Sequence, residues 1–325
     1  MVHANQVTST PARRSSTSNR SRKTGRAMSR TAALTFVLPA AVLFGVFTLY
    51  PMLAAFGYSF FSWNGTARGD FALLSNYVDL FTKAPYIEQL PRAFGHNILL
   101  FVGAIVGQNT IGLGLAYLLH RLKTGRQLFQ TLYTMPYLVS AVVVGYLWTL
   151  LLSPTFGPLN SFFAAIGLED LSRPWLGDPS TALWVVILVA GWQWVGFPIL
   201  LYGAALGGIP AELDEAASID GATARQSFFA ITLPLLVPAI TTVSVLAFIY
   251  SMEAFALPYS FGGSTGSPAG STDVLSLMFY RVAFDSGSSN GIGMSSAIAT
   301  LMFIFIFGIA MLATVVMRRR ENRIK

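Results

Sequence analysis

Six long apolar runs, separated by shorter polar segments, dominate the pattern of hydrophobic and polar positions along this chain. Each run holds about 20 predominantly apolar residues, which is the length that an α-helix needs to cross the hydrocarbon core of a bilayer. The pattern therefore predicts an all-α polytopic membrane protein with six transmembrane helices. The runs lie at residues 32–56, 98–119, 131–152, 183–206, 235–255 and 297–317.

The composition also favours a membrane protein. Of the 325 residues, 54% are hydrophobic and only 11% are charged, whereas a soluble domain carries about 25% charged residues. The net charge of +7 could suggest a nucleic-acid partner, but the basic residues lie in tails beside apolar runs, where membrane topology explains them better. The absence of cysteine excludes a thiolate metal site, and the scattered His3, His96 and His120 do not indicate a metal cluster.

The distribution of Lys and Arg predicts the orientation of the chain. An even number of spans places both termini on the same side of the membrane. If the N-terminus lies inside, 16 of the 21 Lys and Arg residues fall in cytoplasmic segments, as the positive-inside rule requires. We therefore expect a multi-pass membrane protein with both termini in the cytoplasm.

The first apolar run follows a basic stretch rich in Ser and Thr, so a cleaved signal peptide is a competing interpretation. The run is too long for the apolar region of a signal peptide, which spans about 7–15 residues. Segments 59–97, 153–181 and 256–296, rich in Gly, Pro, Ser and aromatic residues, are expected to form structured loops that could face an external partner. The predicted divisions are a disordered basic cytoplasmic tail (1–31), a first transmembrane helix with an external loop (32–93), a five-helix transmembrane core containing the cytoplasmic loop 207–234 (94–317) and a basic cytoplasmic tail (318–325).

The loop between the fourth and fifth runs predicts a helix, a turn and a second helix. Pro210 suits a first helical turn, the acidic residues after it favour a helix N-terminus, and Gly221 fits a C-cap. Thr223 with Gln226 three residues later fits a capping box that starts the second helix, and Pro234 is expected to end it. Such a loop could dock on a partner and transmit rigid-body motion, or lie on the membrane surface as an amphipathic linker.

The same loop carries a motif that resembles a known family. Glu215-Ala216-Ala217, followed by Gly221 and then by Ile231, Leu233 and Pro234, matches the EAA signature of the membrane subunits of binding-protein-dependent ABC importers. The resemblance covers roughly residues 32–317 and is to the maltose-type sugar permeases in particular. Other matching residues are Tyr50-Pro51, Asn76-Tyr77, Met135-Pro136-Tyr137, Trp148, Gly157-Pro158-Leu159-Asn160, Gly293 and Ser296-Ala297.

The resemblance implies a fold, a location in the bacterial inner membrane, a set of partners and a role for the loop. The implied fold is the type I ABC importer transmembrane fold, assembled as a heterodimer with a second permease subunit, two ATPase subunits and an extracellular solute-binding protein. ATP and Mg would bind to the ATPase subunits, so no cofactor is expected on this chain. The residues that would dock on an ATPase are Glu215, Ala216, Ala217, Ser218, Asp220 and Gly221.

The chain lacks the sequence features of an ATPase. A P-loop needs a Gly-Lys pair, and the four lysines of this chain follow Arg, Thr, Leu and Ile. No nucleophile elbow and no His-Glu-x-x-His motif occurs either. We therefore interpret the chain as a non-enzyme whose transport is powered by a separate ATPase.

Two polar features near the apolar runs are candidates for the substrate pathway, because polar groups inside a membrane are costly. Glu253 could face a water-filled cavity and accept hydrogen bonds from a polyol, or it could be solvated at the interface if the fifth span ends earlier. The aromatic and amide side chains of Trp192, Gln193 and Trp194 could bind a sugar, or they could belong to an interfacial aromatic belt.

The maltose-type resemblance favours the sugar interpretation. It implies sugar contacts at Trp192, Val195, Gly196, Ser251 and Ala256, although this chain has Trp192 and Ser251 where the maltose permease has amides. The sequence therefore predicts a permease subunit that forms half of the translocation pathway for a sugar or oligosaccharide, without specifying the sugar. A secondary transporter driven by an ion gradient and a membrane scaffold that recruits a soluble partner are the alternatives.

Overall fold

A computed structural model describes residues 30–122, 124–168 and 171–324 of the chain. Residues 1–29 of the predicted disordered tail lie outside these ranges. The chain divides into two units at Met52 and Leu53, and the side-chain contacts discussed below all lie within the second unit.

α-Helices make up most of the described chain, and π-helical turns join several of them end to end. The π-helical turns are Gly45–Leu49, Ile105–Ile111, Phe228–Thr232 and Arg281–Asp285. The α-helices are α1 (Arg30–Phe44), α2 (Tyr50–Tyr58), α3 (Ser75–Thr82), α4 (Tyr86–Ala104), α5 (Gly112–Arg121), α6 (Arg126–Leu138), α7 (Ala141–Leu151), α8 (Pro158–Ala165), α9 (Pro179–Trp194), α10 (Gly196–Gly207), α11 (Ala211–Ile219), α12 (Ala224–Ser227), α13 (Leu233–Met252), α14 (Ala256–Gly262), α15 (Leu275–Tyr280) and α16 (Gly291–Ile324).

Among the described residues, four helical stretches are long and apolar enough to cross a membrane: Leu34–Tyr58, Tyr86–Arg121, Ala224–Gly262, which is interrupted after Met252, and Gly291–Met317. Two further pairs meet the same criteria only as pairs, because α6 and α7 are bent by 93° and α9 and α10 by 41°. Six spans result if each bent pair makes one crossing. The predicted all-α, six-span fold class is confirmed in this form, but the third and fourth spans are not straight helices.

Several helices extend well beyond the apolar runs that predicted them. The run at 98–119 belongs to a helical stretch that begins at Tyr86, and α16 continues through the predicted basic tail to Ile324. Apolar runs mark the part of a helix that lies in hydrocarbon, whereas the helix itself ends where its backbone hydrogen bonds end.

The prediction that Pro234 ends the second helix of the cytoplasmic loop is wrong. The chain remains helical from Ala224 through the π-helical turn Phe228–Thr232 into α13. Because that turn ends just before α13, Pro234 falls in the first turn of the next α-helical stretch, where a residue without an N–H is tolerated. The second loop helix and the fifth span are therefore one continuous rod.

A small β-hairpin follows the first span, where the sequence predicted only a structured loop. Strands β1 (Phe61–Asn64) and β2 (Ala67–Phe71) pair antiparallel. The two-residue loop Gly65-Thr66 has glycine at its first position, where Gly65 adopts a φ of +62° without steric cost. Asn76 of α3 holds the hairpin by donating to the carbonyl of Phe61 at 2.9 Å.

The buried core has its largest cluster around α9. Val185, Val186 and Val189 of that helix pack with Leu277 of α15, and smaller clusters lie between α10 and α13 and between α15 and α16. Many large apolar side chains remain exposed in the isolated chain, for example Leu188 at 71%. Exposed apolar surface of this kind fits contact with lipid or with other subunits.

A buried ion pair between Asp273 and Arg281 lies beside the first half of α4. Asp273 is fully buried and accepts from both terminal nitrogens of Arg281, at 2.8 and 3.1 Å. Arg92 of α4 lies 3.8 Å from the same carboxylate, and His96 Nδ1 lies 2.7 Å from the Asp273 carbonyl oxygen. Arg281 also donates to the side-chain oxygen of Gln89 at 3.1 Å. This cluster ties the connection between α14 and α15 to α4.

We predict that Asp273→Asn destabilises the protein by about 3–5 kcal/mol, because it leaves Arg281 charged, partly buried and without its carboxylate. The matched control is Asp79→Asn, which removes an exposed i,i+4 pair with Lys83 and should cost only about 0.3–0.5 kcal/mol. Thermal unfolding of the purified variants in nanodiscs measures both effects. Equal stability of the two variants would contradict a structural role for the buried pair.

Candidate functional site

The loop between α10 and α13 has the helix, turn and helix that its sequence predicts. Pro210 is the N-cap of α11, and Glu212 and Asp214 lie in its first turn, where negative charge is favourable. At the other end Gly221 has a φ of +80°. The Ala222 N–H bonds the Ala217 carbonyl at 2.9 Å, which closes the helix in a Schellman motif.

The predicted capping box of the second loop helix is also present. The Thr223 N–H donates to Gln226 Oε1 at 2.8 Å, and the Gln226 N–H donates to Thr223 Oγ1 at 3.3 Å. The buried Ser227 hydroxyl donates to the carboxylate of Asp214 and thereby ties α12 to α11. The loop thus satisfies its own helix ends and has a defined shape without a partner.

The six residues predicted to dock on a partner lie on this loop, and all but Ala217 are exposed. Ala217 is 9% exposed. Ile219 lies two residues further, on the opposite side of α11, and is 85% exposed. Sequence reasoning missed Ile219, although an isoleucine between polar Ser218 and Asp220 was a usable signal. The exposed surface of α11 therefore combines small residues, Glu215 and the large apolar side chains of Leu213 and Ile219.

The loop is anchored to the end of the second span. The ring of Phe228 lies 4.5 Å from the ring of Tyr117 on α5, and the Arg121 guanidinium lies 4.8 Å from the same Tyr117 ring. Deeper in the molecule, the Tyr202 hydroxyl of α10 donates to Asn109 at 2.6 Å, and the Asn109 amide donates to Ser244 of α13 at 2.8 Å. The two helices that flank the loop are thus linked to each other through Asn109.

A cavity of about 260 Å³ lies between α4, α9 and the interruption that separates α13 from α14. Its wall is mainly apolar, and its polar groups come from five side chains. These are Gln108, Trp194, Tyr250, Ser251 and Glu253.

Of the residues predicted for the substrate pathway, Trp194, Ser251, Glu253 and Ala256 line this cavity. Glu253 is the first residue beyond the last turn of α13, and it is exposed. It has no Lys, Arg or His partner within 4.0 Å in the described part of the chain. α13 therefore ends before Glu253, which agrees with the interpretation of Glu253 as an interfacial residue. Glu253 also borders the cavity, which agrees with the interpretation of Glu253 as a residue of the substrate pathway.

The remaining predicted pathway residues do not line this cavity in the isolated chain. Trp192 is 47% exposed and its ring lies 5.6 Å from Trp148. Gln193 is buried and donates to the Val139 carbonyl at 2.9 Å, at the break between α6 and α7. Val195 is the joint between α9 and α10.

Gly196 permits close packing beside this joint. A Cβ at that position would lie 2.8 Å from the Cα of Thr134 on α6, so a larger residue would push α10 away from α6.

Sequence reasoning missed Asn97, which shapes the cavity from behind. Asn97 is fully buried on α4, donates to the Ser251 carbonyl at 2.6 Å and accepts from the Leu275 N–H at 2.9 Å. Asn97 thus bonds a free carbonyl at the end of α13 and a free N–H at the start of α15. An asparagine at the edge of an apolar run was the available signal, because intramembrane amides are costly unless they are paired. Sequence reasoning also missed Tyr250 and Gln108, two polar residues of apolar runs that line the cavity.

These features define a multi-pass membrane subunit whose exposed loop is continuous with the helices around an internal cavity. The chain belongs to the family of binding-protein-dependent transport system inner membrane components, whose sequence profile matches residues 108–323. The matched region includes the whole EAA loop and most of the cavity wall. Members of this family are non-catalytic membrane subunits of ABC importers.

Several relatives are similar over most of the chain. A probable ABC transporter permease protein, YurN of Bacillus subtilis, is 35% identical over 280 residues, covering 85% of this chain and 92% of that protein. The multiple sugar-binding transport system permease protein MsmF of Streptococcus mutans is 33% identical, covering 84% and 90%. The maltose/maltodextrin permease MalF of Salmonella typhimurium is 31% identical, covering 72% of this chain and 47% of that protein.

The fold is that of solved ABC importer subunits. A chain of a bacterial ABC transporter involved in the import of the acidic polysaccharide alginate superposes with a TM-score of 0.75 at 24% identity. The match covers 88% of this chain and 95% of that chain. The predicted type I ABC importer transmembrane fold is thereby confirmed.

We predict that Glu253 faces water. Because the chain has no cysteine, a Glu253→Cys variant carries a single thiol. That thiol should react with a membrane-impermeant maleimide at least about tenfold faster than the thiol of Leu188→Cys, since the reactive thiolate forms only where water reaches it. Leu188, an exposed apolar residue of α9 that does not line the cavity, serves as the control. A rate for Glu253→Cys no higher than that of the control would exclude Glu253 from a water-filled pathway.

Proposed function

We propose that this chain forms half of the translocation pathway of an ATP-driven, binding-protein-dependent importer of a sugar or oligosaccharide. The observation that carries the proposal is the continuity of the exposed EAA loop with the cavity wall. The loop is rigid and self-capped, and its second helix runs without interruption into α13, which ends at Ser251, Met252 and the cavity. Force applied at the loop would therefore reach the substrate site directly.

The chemistry of the cavity supports a neutral, hydroxyl-rich substrate. Glu253 offers a carboxylate that can accept two hydroxyl hydrogen bonds and would repel an anion, and Trp194 and Tyr250 offer aromatic surface. The names of MsmF and MalF assign sugar transport to those relatives. At about 260 Å³ the cavity is smaller than the roughly 300–1,000 Å³ of pockets for drug-sized ligands, so this half of the pathway has room for little more than one sugar ring.

In the proposed mechanism the chain pairs with a second permease, two ATPase subunits and an extracellular solute-binding protein. ATP and Mg bind to the ATPases, whose closure draws the loops of the two permeases together and opens the pathway outward to accept the sugar. Hydrolysis then resets the pathway by alternating access. Both termini and the EAA loop lie in the cytoplasm in this arrangement.

Reconstitution of the chain with its co-purified subunits tests the transport function. Uptake of radiolabelled xylose, maltose or maltotriose into proteoliposomes should require both ATP and the binding protein. Uptake driven by an ion gradient with this chain alone would instead identify a secondary transporter. No uptake under either condition, with an ATPase still bound, would favour a scaffold.

Two loop variants test the docking role. Gly221→Pro cannot adopt the φ of +80° and Glu215→Lys reverses an exposed charge, so each should lower the amount of co-purified ATPase by at least about tenfold, equivalent to a loss of about 1.4 kcal/mol of binding. Membrane insertion should be unchanged. Glu88→Lys, a charge reversal of an exposed acid at the start of α4, is the control. Normal ATPase recovery with both loop variants would refute docking through this loop.

A further inference from the structure

Four aromatic side chains form a cluster beside the cavity that the established family role does not use. The aromatic cluster consists of Phe255, Tyr259, Tyr280 and Phe284. The rings of Phe255 and Tyr259 are stacked at 5.3 Å, and Tyr280 lies 5.4 Å from Phe255 and 5.7 Å from Tyr259. Phe284 continues the series at 5.4 Å from Tyr280.

The aromatic cluster begins at the cavity and ends at the surface. Phe255 lines the cavity two residues after Glu253. Tyr259 is 40% exposed and Phe284 is 72% exposed. Tyr280 and Phe284 lie four residues apart across the start of the π-helical turn Arg281–Asp285, a type of turn that is frequent at functional sites. The rings thus form a continuous path from the cavity mouth outward.

The surroundings of the outermost ring are polar, which distinguishes the aromatic cluster from a lipid-facing surface. Phe284 is followed by Asp285, Ser286 and Gly287, all exposed, and it lies outside the candidate membrane-spanning stretches. The nearby Tyr259 phenol, and then partial burial and the Asp285 carboxylate, raise the pKa of the Tyr280 phenol. Two hydroxyls and a carboxylate therefore border the rings.

Apolar ring faces bordered by hydroxyls and a carboxylate match the chemistry of a sugar ring. A pyranose has apolar C–H faces that pack on aromatic rings and a rim of hydroxyls that bond to polar groups. The cavity itself has room for little more than one ring, so any longer saccharide must extend beyond it. The aromatic cluster is the surface that continues from the cavity wall at Phe255.

We propose that the aromatic cluster of Phe255, Tyr259, Tyr280 and Phe284 is a second saccharide subsite, which holds the next ring of a neutral oligosaccharide outside the cavity. This inference rests on the proposed sugar-import function and adds to it a substrate of at least two rings. Phe255 contacts the ring nearest the cavity, and Phe284 contacts the ring that enters last.

The test uses the reconstituted importer with its ATPase, partner permease and binding protein, and the labelled probes xylose, maltose and maltotriose. Tyr259→Ala and Phe284→Ala should each lower uptake of the transported oligosaccharide by about tenfold, the effect of losing one aromatic contact worth about 1.4 kcal/mol. Tyr259→Phe and Phe284→Tyr retain the ring and should retain most of the uptake. Phe71→Ala, which removes a ring 60% exposed on β2, is the matched control and should transport normally.

Three accompanying measurements separate a subsite from other roles of the aromatic cluster. Subunit co-purification and stimulation of ATP hydrolysis by the binding protein should stay unchanged, so the number of sugars imported per ATP falls. Loss of the partner permease would overturn the proposal in favour of a subunit interface, and loss of ATPase stimulation in favour of a binding-protein contact. Wild-type oligosaccharide uptake by the Ala variants, or uptake of xylose alone by the unaltered importer, would also overturn it. Failure of the unaltered importer to take up any probe would refute the proposed function itself.

Discussion

A backbone carbonyl or N–H that leaves a helix inside a bilayer finds no water to bond with, so another part of the protein must satisfy it. In this protein buried amide side chains fill that role at the interruptions that shape the site. Asn97 bonds the end of α13 and the start of α15, and Gln193 bonds the carbonyl of Val139 between α6 and α7. Outside the candidate spans, the buried Asn160 likewise bonds the carbonyls of Ser153 and Arg173, at 3.4 and 3.3 Å.

The cavity depends on this constraint. A substrate site between packed helices needs an opening, and an interrupted helix supplies one only where its free backbone groups are paired. Because Asn97 satisfies the Ser251 carbonyl, α13 can end beside the cavity and leave Glu253 on its border. The hydrogen bond that satisfies the free Ser251 carbonyl comes from Asn97, which does not line the cavity. The polar groups of the cavity wall therefore stay available for a solute.

The exposed loop also pairs the free backbone groups at its helix ends, but it does so with residues close in sequence. Local pairing of this kind can be predicted from sequence, whereas pairing by distant residues cannot. Its ends are closed by Gly221, Thr223 and Gln226, all within a few residues of the groups that they satisfy. Local capping can be read from sequence, and the predicted turn at Gly221 and capping box at Thr223 were correct. The span positions were also predictable, because about 20 apolar residues in a row have few other uses.

The failures came from interactions between residues distant in sequence. The 93° break after Leu138 lies within an apolar run, and the side chain that permits it, Gln193, is 54 positions away. Whether Trp192 or Trp194 faces the cavity depends on how α9 is rotated against α4, which its nearly uniform apolar sequence does not indicate. The prediction that Pro234 ends the second loop helix failed because the π-helical turn before Pro234 has no recognised local sequence signature.

The uninterrupted rod from Ala224 to Met252 has a geometric consequence for transport. At about 1.5 Å per residue it is about 43 Å long, with the exposed loop at one end and the cavity at the other. A tilt of about 5° around its midpoint moves each end by about 2 Å in opposite directions. A displacement at the loop would therefore be accompanied by an opposite one at the cavity, and Asn109 bonds the rod at Ser244, about 30 Å from the loop end and about 12 Å from the cavity end.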